Sequence, residues 1–131
     1  NYAGKRILLV EDNELNMEIS QYILEGAGAI VAQSWNGKEA VRCFSESEPG
    51  AFDCILMDVM MPVRDGHEAT RAIRAMDRPD AKSIPIFAMT ANAFTEDRRK
   101  ALESGMNEHL PKPIDPDALY RLLVKYLTER S

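Results

Sequence analysis

The chain has 131 residues, a size that suits one domain built around one core. Hydrophobic residues make up 45% and charged residues 28%, an ordinary globular balance, and no apolar run approaches the roughly 20 residues that a membrane-crossing helix needs. The formal net charge of −5 weighs against nucleic acid as a direct partner, because a phosphate backbone is met by a basic face.

The opening six residues carry neither the apolar segment of a signal peptide nor an initiator methionine, which leaves open a piece cut from a longer protein. From there, short apolar runs alternate with longer amphipathic stretches. A strand is predicted near 5–10 (KRILLV). A helix follows near 13–26, with Leu15, Ile19, Tyr22 and Ile23 on its apolar face and Gly26 and Gly28 ending it. The second strand, near 29–34, is more polar, and Trp35 after it is expected to pack over the neighbouring helices. Ala40, Val41 and Phe44 define a helix near 37–47, left at Pro49-Gly50. The third strand lies near 53–57 (DCILM), followed near 66–76 by a helix facing inward through Ala69, Ala72, Ile73 and Met76. A fourth strand near 84–89 (IPIFAM) leads to a helix near 92–104, with Phe94, Ala101 and Leu102 inward and Gly105 as its stop. The fifth strand, near 107–110 (NEHL), is polar again. Asp115 can cap the last helix, near 116–129, Pro116 suits its first turn, and Leu119, Leu122, Leu123, Tyr126 and Leu127 recur at helical spacing.

Five strand–helix units in regular alternation predict an α/β fold with helices on both faces of a parallel sheet. Strands 1, 3 and 4 are almost continuously apolar, as central strands are, whereas strands 2 and 5 have the polarity of edges. The expectation is a flavodoxin-like (βα)5 doubly wound sheet of order 2-1-3-4-5, with ligands at the strand C-termini beside the switch point between strands 1 and 3. Cys43 and Cys54 are expected as small buried hydrophobes in a reducing compartment, and Glu96 to Lys100 as a solvated helix face.

Chemistry-bearing residues follow the strands. Glu11 and Asp12 come after strand 1, Asp58 after strand 3, Thr90 after strand 4, and Lys112-Pro113 after strand 5. In the predicted sheet order they converge on one edge. Each has an ordinary explanation alone, as a cap, a loop charge or a surface residue. Together, three carboxylates at one edge repel, and a hard dication with oxygen ligands, Mg²⁺ for example, compensates them. A carboxylate at a strand tip can attack phosphorus and become an aspartyl phosphate. The cation, Lys112 and Thr90 would then meet the charge on the phosphoryl oxygens.

The runs ILLVEDNELN, ILMDVMMPVRDG, FAMTANA and HLPKP resemble the four motif blocks of response-regulator receiver domains of two-component signalling, over about residues 5–127. The resemblance implies a single receiver domain over 1–131. It implies Glu11 and Asp12 as the acidic pair holding Mg²⁺ (or Mn²⁺), Asp58 as phosphoacceptor and third carboxylate, and the Met60 carbonyl as a further ligand. It implies Thr90 as the switch hydroxyl, Lys112 as the phosphate-binding lysine, a cis Lys112-Pro113 bond, and Asp65-Gly66 as a turn in which Gly66 supplies positive φ. His109 stands where many receivers carry the Tyr or Phe that swings inward with the threonine. An exposed edge-strand position is the plainer expectation for it, and His67 is expected to face solvent.

VEDNELNMEI and MPVRDGHEATRAIRA look most like receivers of hybrid sensor histidine kinases. That resemblance implies a histidine kinase or histidine phosphotransfer domain as partner and a cytoplasmic location, within a membrane-anchored kinase or alone. It implies no nucleic-acid or membrane contact by this domain, which acts as a monomer or weak homodimer. Alternatives are a stand-alone single-domain regulator and a non-phosphorylated interaction module. A flavodoxin is disfavoured by Glu11-Asp12-Asn13-Glu14, which would repel a flavin phosphate. A haloacid-dehalogenase-type phosphatase is disfavoured by Met60, where a second acid would be needed.

Overall fold

The computed structural model describes residues 4–58, 66–90, 99, 102–111 and 115–129. Five strands, β1 (Arg6–Val10), β2 (Ile30–Ser34), β3 (Cys54–Asp58), β4 (Ile86–Thr90) and β5 (Glu108–Pro111), form one sheet in the order β2-β1-β3-β4-β5. All four pairings are parallel. The helices are α1 (Glu14–Gly26), α2 (Gly37–Glu46), α3 (Gly66–Arg74) and a C-terminal helix (Pro116–Glu129). The order expected from the sequence is the order found, with β2 and β5 at the edges.

Alternation along the strands divides the core in two. Leu8, Val10, Ile55, Met57, Ile86 and Ala88 point to one face and pack with Ala40 and Phe44 of α2 and Ala69 and Ile73 of α3. Ile7, Leu9, Leu56, Phe87 and Met89 point to the other, against Met17 and Leu24 of α1 and Leu119 of the C-terminal helix. The phenolic oxygen of Tyr126 donates to Glu108 at 2.9 Å, and its ring meets Phe87 edge-on at 5.2 Å, which seats that helix beside β5.

Three expectations change. Leu15, Ile19 and Tyr22 are 63%, 45% and 81% exposed, so of the apolar face expected for α1 only Ile23 packs on the core and the rest points outward. The sheet instead receives Met17, Ser20 and Leu24, a narrower stripe at helical spacing in which a small serine permits close approach. Gly66 is buried as the first residue of α3 and not in a turn before it; helical backbone needs no positive φ. Leu102, expected inward on the helix near 92–104, is 51% exposed, whereas α3 spans Gly66–Arg74 close to the bounds expected and Met76 packs on the core. The helix expected near 92–104 falls mostly outside the described residues; 102–104 is helical, and Gly105 at φ 107° turns the chain out of it, as expected.

Asp80 and Arg78 staple the far end of the sheet. The buried Asp80 carboxylate accepts from Arg78 Nε at 2.6 Å, Arg78 Nη2 at 3.0 Å and the Gly50 amide at 2.9 Å. Arg78 also donates to Ser47 Oγ at 3.3 Å and lies 4.2 Å over the Phe44 ring. Burial acts to raise the Asp80 pKa, but the hydrogen bonds from Arg78 and Gly50 and the charge of Arg78 outweigh it and hold the carboxyl below its ordinary value. A depressed folded pKa means that the staple contributes fully above the unfolded value of about 3.9 and fades as pH falls below it. In urea unfolding, Asp80→Asn should therefore lose about 2 kcal/mol at pH 7. The gap from wild type should narrow as pH falls below about 4; a gap constant with pH would contradict this account.

Candidate functional site

Two strand tips build the site. β1 runs into Glu11, whose amide donates to Ser34 O at 3.0 Å and so extends the pairing with β2 by one residue. This holds Glu11 fully buried, with its Oε1 accepting from the Asn13 amide at 3.2 Å. Asn13 then caps α1, its Oδ1 accepting from the Asn16 amide at 2.9 Å. Asp12 between them is exposed. Val10 pairs with Met57, so Glu11 stands level with Asp58, the last residue of β3, which is 2% exposed.

The consequence is a three-acid cluster. One carboxylate oxygen from each of Glu11, Asp12 and Asp58 lies within 4.8 Å of the others. Octahedral Mg²⁺ holds ligands at about 2.0–2.1 Å, which puts opposite oxygens about 4.2 Å apart. Only one pair of three ligands can be opposite and the remaining pairs are closer, so the acids would draw together around a small dication or leave one joined to it through water. The all-oxygen, carboxylate-rich donor set is also what a hard cation selects over a softer one. Two of the three acids are buried, where desolvation sharpens their repulsion and raises the benefit of a cation.

Backbone pairing brings the other predicted tips to the same edge. Asp58 is in register with Met89, and Thr90 with Pro111, so Lys112 directly follows a strand end beside that of β4. The side chains of Thr90 and Lys112, along with Met60, Pro113 and the Lys112-Pro113 bond, lie outside the described residues, as do Asp65, Glu96 to Arg98 and Lys100. Arg99 is exposed, as expected of a solvated helix face.

His109 departs from the exposed position expected. It is half-buried on β5, and its Nδ1 is buried with no hydrogen-bond partner among the described residues. His67 is also not solvent-facing: its Nδ1 lies 3.0 Å from Ser104 Oγ. Trp35 is about one-third exposed. Cys54 is buried and Cys43 half-buried, neither in a disulfide, and burial pushes the Cys43 pKa up, which suits an unreactive filler. The sequence reading missed Asn13, whose amide orients Glu11; a short polar residue at the turn into a helix was the available signal.

Comparison with known proteins agrees with this geometry. A family model described as the response regulator receiver domain matches residues 7–124. Hybrid signal transduction histidine kinase I of Dictyostelium discoideum is 37% identical over 131 residues, covering 95% of this chain and 8% of the kinase. The chain spans 7% to 13% of the length of the first curated relatives it matches. Among solved structures, the receiver domain of a sensor histidine kinase of Pseudomonas aeruginosa PAO1, with a magnesium ion coordinated in its active-site cleft, superposes with a TM-score of 0.86 at 40% identity, covering 96% of this chain and 99% of that one. The Saccharomyces cerevisiae Ssk1 receiver domain, crystallised with the histidine phosphotransfer protein Ypd1, gives a TM-score of 0.86 at 30% identity, covering 99% and 93%.

The cluster predicts a one-site binding isotherm for Mg²⁺ in calorimetry. Asp12→Asn and Asp58→Asn should each weaken it at least tenfold, about 1.4 kcal/mol. Substituting the exposed acid Asp77 by Asn should leave it unchanged; an equal loss there would mean only diffuse charge.

Proposed function

Because the chain belongs to the response regulator receiver domain family, the receivers of two-component signalling, we propose that Asp58 is the residue that accepts the phosphoryl group. The supporting observation is the three-acid cluster at the tips of β1 and β3, with Asp58 at the end of a central strand. The unit is a single receiver domain over 1–131, with its core at about 5–127.

Glu11, Asp12, Asp58 and the Met60 carbonyl would hold Mg²⁺, or Mn²⁺ in its place. The bound ion supplies positive charge against the phosphoryl oxygens. An Asp58 carboxylate oxygen attacks the phosphorus of a phosphohistidine; the new O–P bond forms as the P–N bond breaks, and the imidazole leaves with the nitrogen's electron pair. Lys112 meets one phosphoryl oxygen with its ammonium and Thr90 another with its hydroxyl. The modification adds roughly −1.5 to −2 of charge, by analogy with other phosphorylated side chains. Thr90 and His109 shift with it, and the two conformers differ in free energy by what these new contacts supply. Water later hydrolyses the acyl phosphate, releasing inorganic phosphate and restoring the carboxylate.

The donor is a histidine kinase or histidine phosphotransfer domain, and the Ssk1–Ypd1 complex supports this reading. The parent is a hybrid sensor histidine kinase, as the curated relatives suggest, with this domain on the cytoplasmic side. The domain works as a monomer or weak homodimer with no direct nucleic-acid or membrane contact. Among the described residues no helix is long and apolar enough to cross a membrane. Leu15, Ile19 and Tyr22 form an exposed stripe on α1, which begins two residues after Asp12, so a helical donor packed on that stripe would bring its histidine to Asp58.

Incubation with acetyl phosphate and Mg²⁺ should add one phosphoryl group to the wild type and none to Asp58→Asn by intact-mass measurement. Addition to the variant, or none to a folded wild type, would sink the assignment; the second result is what a non-phosphorylated interaction module would give. Ile19→Asp should slow transfer from a phosphohistidine protein tenfold or more, while acetyl phosphate, which needs no docking face, still modifies that variant.

A further inference from the structure

Arg74 is the last residue of α3, half-buried, and it has no carboxylate partner among the described residues. Its guanidinium is satisfied by three neutral oxygens from two separate segments. Nε donates to Gly105 O at 2.9 Å, Nη1 to Ala81 O at 3.1 Å, and Nη2 to Asn107 Oδ1 at 2.9 Å. Burial pushes its pKa down, the mark of a charge taken from water without an opposing one. Such a position is costly unless the hydrogen bonds themselves are what matters.

The acceptors show what they fix. Asn107 immediately precedes β5 and holds the first residue of β4 from both sides: its amide donates to Ile86 O at 2.7 Å, and its Oδ1 accepts from the Ile86 amide at 2.8 Å. That same Oδ1 takes the bond from Arg74, so Arg74 orients the side chain that starts the β4–β5 ladder. Gly105 is fitted to the arrangement twice. Its φ is 107°, and a Cβ there would meet Arg74 Cγ at 3.0 Å. β5 is a four-residue edge strand with one neighbour; buried Leu110 and the Tyr126–Glu108 bond hold its middle, and the Arg74–Asn107 linkage fixes its start. A slip of one residue would turn every β5 side chain to the opposite face and displace the residue that follows Pro111.

We propose that Arg74 is a positioning residue for phosphoryl acceptance: through Asn107 and Gly105 it helps to fix the start of β5, the strand whose last residue, Pro111, directly precedes Lys112 in the chain. This rests on the reading of Asp58 and Lys112 given above. The network leaves Glu11, Asp12 and Asp58 alone, since they stand on β1 and β3. It therefore separates cation binding from phosphoryl transfer.

The test uses Arg74→Met, Asn107→Ala and the double variant, all held below their unfolding temperatures. Mg²⁺ dissociation constants are measured by calorimetry and phosphorylation rates with acetyl phosphate by intact mass. The expected result is Mg²⁺ affinity within about twofold of wild type and a rate reduced about tenfold in each single variant. The double variant should be no slower than the slower single one, since both cuts sever one linkage. A wild-type rate in a folded variant would overturn the proposal. So would a parallel loss of rate and Mg²⁺ affinity, which would mean general loosening, or losses that multiply in the double variant. Should Arg74→Met fail to fold, Asn107→Ala carries the test. A wild-type protein that accepts no phosphoryl group on Asp58 would instead remove the reading beneath it, and that outcome is visible before any variant is made.

Discussion

Like-charge repulsion at the ends of two neighbouring strands is the constraint around which this domain is arranged. Glu11, Asp12 and Asp58 bring carboxylate oxygens within 4.8 Å of one another, two of them from buried residues. A fold that evolved for stability alone would place apolar or neutral groups there, because buried like charges cost free energy with no return in packing. The surrounding structure holds them in place regardless. β1 and β3 are central strands with a neighbour on each side, Glu11 is tied to Ser34 and Asn13, and the apolar core beneath the tips is fully buried on both faces of the sheet. A rigid scaffold of this kind keeps acids together that would otherwise separate, and keeps the site ready for a cation and for transient phosphate charge.

Much of this was legible in the sequence because its signals are local. ILLV, DCILM and IPIFAM are apolar enough to be central strands, and their polar successors therefore had to gather at one edge of a parallel sheet. Strand order followed from the length of the chain and the polarity of the two remaining strands. α1 was misread for a physical reason. It has two apolar arcs: Leu15, Ile19 and Tyr22 face outward, while Met17 and Leu24, with the small Ser20 and the flanking Ile23, meet the core. Counting apolar residues finds an apolar arc. It cannot tell whether that arc lies on this domain's core or awaits another protein.

The long-range polar ties left no trace in the sequence. Arg74, Ala81, Gly105 and Asn107 are joined only by the fold, and no spacing rule links them. The same holds for Arg78, whose contacts reach Phe44, Ser47 and Asp80. These two arginines act at opposite levels of the structure. Arg78 closes the far end of the sheet with a charged partner, whereas Arg74 sets the edge strand that leads to the site. His67 and His109 were placed in solvent by their polarity, yet His67 meets Ser104 and His109 is half-buried, since neighbouring elements cover them.

If repulsion among the three acids is the cost the fold carries, a cation and the removal of one charge should each relieve it. Thermal unfolding of wild type and Asp58→Asn across a Mg²⁺ series reads this directly. The account predicts that the metal-free variant melts a few degrees above metal-free wild type, as about 1 kcal/mol of relieved repulsion would give. It also predicts that added Mg²⁺ raises the wild type by mass action and the variant far less. A metal-free wild type at least as stable as the variant, with a melting temperature indifferent to Mg²⁺, would contradict it.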